Sequence, residues 1–227
     1  MLQALPLFPL STVLFPGGVL PLQVFEVRYL DLMNRCEQSG EPFGVIGLSS
    51  GEEVRRAPKA GQAQATSESL MDVGTAAQLE QVTRPQAGLM GVLVRGTRRF
   101  RLHRSHVLPH GLWMGDVEWL PDDLPAPCPD ELLPLSRRLL RLREELAREM
   151  AREMAREVAR EVAGRGEIDL PAAGDPRWQD AGWVANRWAE RLPLPLAERQ
   201  RLMTLDNPVW RLELVGEWLE RLQRAAS

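Results

Sequence analysis

A chain of 227 residues with 44% apolar and 26% charged residues has enough apolar material for one large core or two small ones. A formal charge of −3 supplies no global field for nucleic acid or an anionic membrane, and no unbroken apolar run approaches the roughly 20 residues that span a bilayer. Cys36 and Cys128 lie far apart with no CxxC spacing, which predicts free thiols in a reducing compartment and a soluble, cytoplasmic protein.

The chain opens on Leu5-Pro6-Leu7-Phe8-Pro9-Leu10, followed by Phe15-Pro16-Gly17-Gly18 and Val19-Leu20-Pro21-Leu22. Prolines cut this apolar stretch into pieces that cannot be helical, because each internal proline removes a donor and clashes with the preceding turn. Short buried strands joined by turns are predicted, and the absence of a basic leader argues against a signal peptide. A helix is expected from about Glu26 to Gln38, with Val27, Leu30 and Met33 or Asn34 as its stripe and Tyr29, Leu32 and Cys36 flanking it. Ser39-Gly40 would stop it. Further strands are predicted at Phe43–Leu48, Leu70–Leu79 and Gly88–Gly96, then at Phe100 and Leu102 with Arg99, Arg101 and His103 on a wet face, and last around Trp113, Val117 and Trp119. A polar loop would fill residues 51 to 69. Some six short strands with one early helix predict a small closed or nearly closed barrel.

Four prolines within residues 121–129 mark a stiff connector, so the expected organisation is a β domain over 1–120, a linker over 121–129 and a helical domain over 130–227. A long helix is expected from about Leu135 to Ala163, built on tandem AREM and AREV units whose Met/Val row drifts by about 40° per copy. Gly164-Arg165-Gly166 would end it. Asp175-Pro176 would open a helix carrying Trp178, Ala181, Ala185, Trp188 and Leu192, Pro195 a third, and Asn207-Pro208 a last one. That last helix carries one apolar row through Leu212 and Leu219 and a second at Trp210, Leu214 and Trp218, which predicts a compact helical bundle.

The leader pattern resembles the start of the N-terminal substrate-binding domain of Lon-type ATP-dependent proteases, LPLLPL … FPG … LPL. Asp72-Val73-Gly74-Thr75-Ala76-Ala77 resembles that family's vGTlA strand, and Gly91–Leu102 resembles its vlveGlrRari hairpin. Leu194-Pro195-Leu196 … Arg211-Leu212-Glu213 resembles its closing helices. The resemblance implies an α+β fold, a PUA-like small β-barrel with one early helix followed by a C-terminal α-helical bundle. It also implies a non-catalytic, stand-alone module that binds unfolded or partly folded polypeptide or a protein partner, as an adaptor in proteolysis or quality control. The ATPase and peptidase modules of such proteases are not expected here. The one lysine, Lys59, has no glycine cradle for a P-loop and sits in a polar segment unsuited to a Ser–Lys dyad.

No cofactor and no metal are expected. His103, His106 and His110 cluster without a nearby cysteine and read as surface or loop histidines. Cys36 reads as a small hydrophobe on a helix, and Glu52-Glu53 and Asp122-Asp123 as solvated charge. For polypeptide, the candidate wall residues of a groove between barrel and helical half are Phe15, Pro16, Phe25, Tyr29 and Trp113, chosen as large side chains near expected turns and junctions. The alternative is an RNA-binding strand using Arg95, Arg99, Arg101 and Arg104, disfavoured because stacking aromatics other than Phe100 are missing.

Overall fold

The computed structural model describes residues 2–50, 69–157 and 170–225. Lys59, Glu52-Glu53, residues 51–68 of the expected polar loop, and the sequence from 158 through Gly164-Arg165-Gly166 lie outside them. The described chain is α+β and divides into two compact units, Met1–Asp122 with Ala189–Leu205, and Asp123–Trp188 with Asp206–Ser227.

In the first unit the strands are β1 (Gln3–Leu10), β2 (Val19–Val24), β3 (Phe43–Ser50), β4 (Ser69–Gln86), β5 (Leu89–Val107) and β6 (Trp113–Trp119). They form a mixed sheet in the order β2-β5-β4-β3-β1-β6. β1 runs parallel to β3, and the other pairings are antiparallel. β6 pairs with β1 and also with the second half of β5, Phe100–Val107, so the ladder returns upon itself at β5.

The leader's greasiness on both strand faces has a direct cause. Side chains alternate across a strand, and β1 has a core on each side. Leu5 and Leu7 join Ile46, Phe100, Trp113 and Val117, whereas Phe8 and Leu10 join Val24, Tyr29, Leu32, Met33, Phe43 and Val92. Each fully buried side chain of this size contributes about 1.5–3 kcal/mol.

Helix α1 (Val27–Ser39) covers the second of these clusters. Its buried stripe is Tyr29, Leu32, Met33 and Cys36, an i, i+3, i+4, i+7 set, so the residues expected to flank the stripe form it. Val27 is exposed instead. Gly40 ends the helix at φ 71°, its N–H bonding the Cys36 carbonyl at 2.9 Å, as the sequence predicted.

Two expected strands are one. β5 runs unbroken from Leu89 to Val107, and the expected break near Thr97-Arg98 is a bulge: Thr75 pairs with Arg99 but Ala77 pairs with Gly96. Beyond the bulge Arg99 and Phe100 point to opposite faces and both are covered, so Arg99 leaves the predicted wet face. Its Nη1 donates to the Met203 carbonyl at 2.8 Å, on helix α4 (Leu196–Thr204). α4 is further fixed by Gln200 Nε2 donating to the Val73 carbonyl at 2.8 Å.

The second unit contains α2 (Leu133–Glu157), most of α3 (Ala181–Arg191) and α5 (Pro208–Ala225). The helix expected from Asp175 is split: Asp175 caps a short 3-10 turn, Pro176–Gln179, and α3 starts afresh, with Asp180 Oδ1 accepting from the Trp183 N–H at 2.7 Å. Asn207 caps α5 as predicted, its Oδ1 accepting from the Val209 N–H at 2.9 Å. Trp178 and Trp188 are core, but Trp210 is 63% exposed rather than part of a buried second row. Asp123, read as solvated charge, instead accepts a bidentate pair from Arg211, which is 1% exposed and also donates to Asn186 Oδ1 at 3.0 Å.

Candidate functional site

The outer halves of β4 and β5 form an arm, a hairpin closed by the two-residue turn Ala87-Gly88, with β2 alongside its β5 strand. Its sequence from Glu80 to Gln86 is mostly polar, and pairing with β2 holds its β5 edge. Between the arm's tip and α1 lies an open cleft of about 380 Å³. Leu30, Leu89 and Met90 give it an apolar floor, and Asn34, Arg84 and Gln86 give it polar groups. Arg84 ties the arm to α1: Nη1 donates to Glu37 Oε1 at 3.3 Å, Nη2 to Asn34 Oδ1 at 3.2 Å, and Nη2 also to Glu37 Oε2. The guanidinium holds the Glu37 carboxyl below the usual carboxylate range.

Two exposed apolar side chains stand where β2 hands over to α1. Phe25 is 53% exposed and Val27 73%. Phe25 follows Val24, which pairs with the cleft residue Met90. β2 ends the strand order. Gly96 donates to the Gly18 carbonyl at 2.8 Å, and alternation from that bonded pair turns Leu20, Leu22 and Val24 toward β5 and the nitrogen of Pro21 outward. A proline there blunts the edge against pairing with a stray strand.

The family model described as the ATP-dependent protease La (LON) substrate-binding domain matches residues 4–221. The chain belongs to that family. A crystal structure of a Lon N-terminal domain protein from Xanthomonas campestris is 30% identical, covers 95% of this chain and 98% of that one, and superposes with a TM-score of 0.64. The N-terminal domain of a Mycobacterium avium complex Lon protease shares the fold at 19% identity and a TM-score of 0.55, over 95% of this chain and 97% of that one. The Lon protease of Flavobacterium johnsoniae is 27% identical over 100 residues, 44% of this chain but 11% of that protein.

Within this Lon-family fold the predicted wall residues separate. Phe15 is fully buried, Tyr29 is buried and stacked on Phe8 at 4.1 Å between ring centroids, and Trp113 is buried in the β1–β6 cluster. Pro16 is half-buried, and Phe25 is the one of the five that is exposed. The structure therefore does not gather the five on one surface. Of the arginines, Arg99 is buried on Met203, and Arg95 pairs with Glu80 while donating to the Gly17 carbonyl at 3.1 Å. Arg101 and Arg104 are exposed.

The cleft residues Leu30, Asn34, Arg84, Leu89 and Met90 were missed by sequence reasoning. Pro85-Gln86-Ala87-Gly88, a turn signal following Val82, was the available clue. His103 pairs with Glu118 across β5 and β6 at 2.9 Å, while His106 and His110 are exposed. Among the described residues no three His, Cys, Asp or Glu side chains converge as metal ligands. Burial pushes the Cys36 and Cys128 thiols up, away from the thiolate that a nucleophile needs. No helix among the described residues is long and apolar enough to cross a membrane.

Proposed function

We propose that this protein is a non-catalytic polypeptide-binding module that holds apolar segments of unfolded or partly folded chains for a proteolytic machine. The observation that carries the reading is the open cleft between α1 and the β4–β5 tip, with its apolar floor of Leu30, Leu89 and Met90 and the exposed Phe25 and Val27 beside it. In a member of a substrate-binding family, such a surface is suited to take one or two apolar side chains from an extended ligand, with Asn34 and Gln86 able to bond its backbone. The outward proline of β2 favours side-chain capture over strand addition.

The finer architecture belongs to the same proposal: a PUA-like barrel over 1–120, a linker over 121–129 and a helical domain over 130–227 whose Ala189–Leu205 segment groups with the sheet, working in the cytoplasm, where Cys36 and Cys128 stay free. Arg95 and Arg99 are engaged within the protein, so no observation favours the RNA-binding alternative.

Fluorescence anisotropy with a labelled, permanently unfolded casein-like chain tests the function. Binding is expected at about 10–100 μM, or about −5.5 to −7 kcal/mol. The double variant Phe25→Ser/Leu89→Asp, with circular dichroism unchanged, should bind at least about tenfold more weakly. An affinity unaltered by the double variant would refute this site, and no binding by the wild-type protein would refute the function.

A further inference from the structure

We infer that Arg84 makes the cleft selective for segments in which a carboxylate, aspartate or glutamate, lies within a residue or two of the apolar anchor. The inference rests on the polypeptide-binding reading and deepens it. Among the residues lining the cleft, Arg84 is the charged one, and it stands at the rim, half-exposed, rather than beneath the floor.

Its donors are unequally committed. A guanidinium has five N–H groups in a fixed fork. Glu37 takes the end of that fork, through Nη1 and Nη2, and the neutral amide oxygen of Asn34 takes the other Nη2 hydrogen at 3.2 Å. The side of the fork formed by Nε and Nη2 therefore meets an uncharged acceptor at one tine, and no described residue accepts from Nε. A ligand carboxylate that replaces Asn34 Oδ1 gains a bidentate, charge-assisted pair, while Glu37 keeps the end of the fork and the arm stays tied to α1. A lysine at the same ligand position meets a like charge.

Glu37 offsets part of the attraction, and the site is open to water. The discrimination should therefore be modest, about three- to tenfold, and sensitive to salt. The tie also makes a prediction that a purely structural role does not. Loss of Arg84 and loss of Glu37 both break the arm-to-helix link, but they move the charge at the rim in opposite directions.

The test uses three labelled peptides with one shared leucine-phenylalanine anchor and serine, aspartate or lysine two residues away, titrated against wild-type protein, Arg84→Gln and Glu37→Gln. Wild type should bind the aspartate peptide about three to ten times more tightly than the lysine peptide in low salt, a gap that closes as salt is raised beyond the screening range. Arg84→Gln and Glu37→Gln both cut the tie and should weaken the serine peptide in the same direction, whereas Arg84→Gln should abolish the gap between the aspartate and lysine peptides and Glu37→Gln should widen it. A wild type that binds all three peptides equally overturns the selectivity alone. So does a gap that survives Arg84→Gln, or one that shifts in the same direction in both variants. If the serine peptide does not bind wild type either, the polypeptide-binding reading fails, and this inference fails with it.

Discussion

Among the described glycines, Gly96 lies closest to neighbouring main chain, and replacing it with alanine tests how the β2 edge is held. A Cβ there would stand 2.3 Å from the Phe15 carbonyl oxygen, 3.0 Å from Leu14 Cγ and 3.2 Å from the Phe15 carbonyl carbon. The nearest atom belongs to the main chain, so no rotamer change relieves the contact. Gly96 is not among the positive-φ glycines, so alanine meets no conformational penalty and the cost is steric. The segment that must retreat is pinned to Gly96 itself: Gly17 donates to the Gly96 carbonyl and Gly96 to the Gly18 carbonyl, both at 2.8 Å. Overpacking of this kind costs about 1–3 kcal/mol, and weakening two hydrogen bonds adds up to about 1 kcal/mol each. Gly96→Ala should therefore destabilise the first unit by about 2–4 kcal/mol. At a urea dependence of about 2 kcal/mol per M, the midpoint falls by about 1–2 M. The transition is best followed on the amide signals of β2 and β5, which report this unit and not the tryptophan-rich helices. A midpoint within about 0.3 M of wild type would refute the argument, because it would mean that the Phe15 carbonyl moves aside at almost no cost.

In the second unit, Arg211→Ala leaves Asp123 and Asn186 without their buried partner and should cost about 3–5 kcal/mol in chemical denaturation read by tryptophan fluorescence; a loss below about 1 kcal/mol would place the pair among surface ion pairs. Asp175 accepts from the side chain and backbone of Arg177, which lowers its pKa from 3.8 to about 2. Because the folded value is the depressed one, the cap's contribution is complete above about pH 4 and disappears as pH falls through about 2. Carboxyl NMR should find that low midpoint in wild type and a higher one in Arg177→Gln.

How much of this was legible in the sequence depended on whether the information was local. Pro6 and Pro9 forbid helix wherever they sit, Gly40 can stop α1 because only its own φ matters, and Asn207-Pro208 carries a complete cap within three residues. These features came through. The unbroken β5 did not, because a bulge at Thr97-Arg98 conserves the strand while shifting the alternation along it, and the buried Arg99 depends on a helix whose Met203 carbonyl lies 104 positions away. Asp123 was misread for the same reason: nothing in Pro121–Pro129 announces a buried arginine at position 211.

The candidate site fared worse, and the cause is the rule used to pick it. Size and proximity to turns selected Phe15, Tyr29 and Trp113, yet large apolar side chains are what a small two-core sheet buries first. Residues that line an open cleft must be compatible with water when nothing is bound, so they are drawn from the middle of the polarity range. Asn34, Arg84, Gln86 and a leucine or methionine supported by the arm meet that requirement, and no one of them stands out in a list of residues. What sets them apart is that a hairpin tip and a helix some fifty positions apart in sequence are held together by Arg84 on Asn34 and Glu37. The cleft is therefore a property of that long-range tie, and variants that cut it test the site more directly than variants of the aromatic core, which would report stability whatever the protein binds.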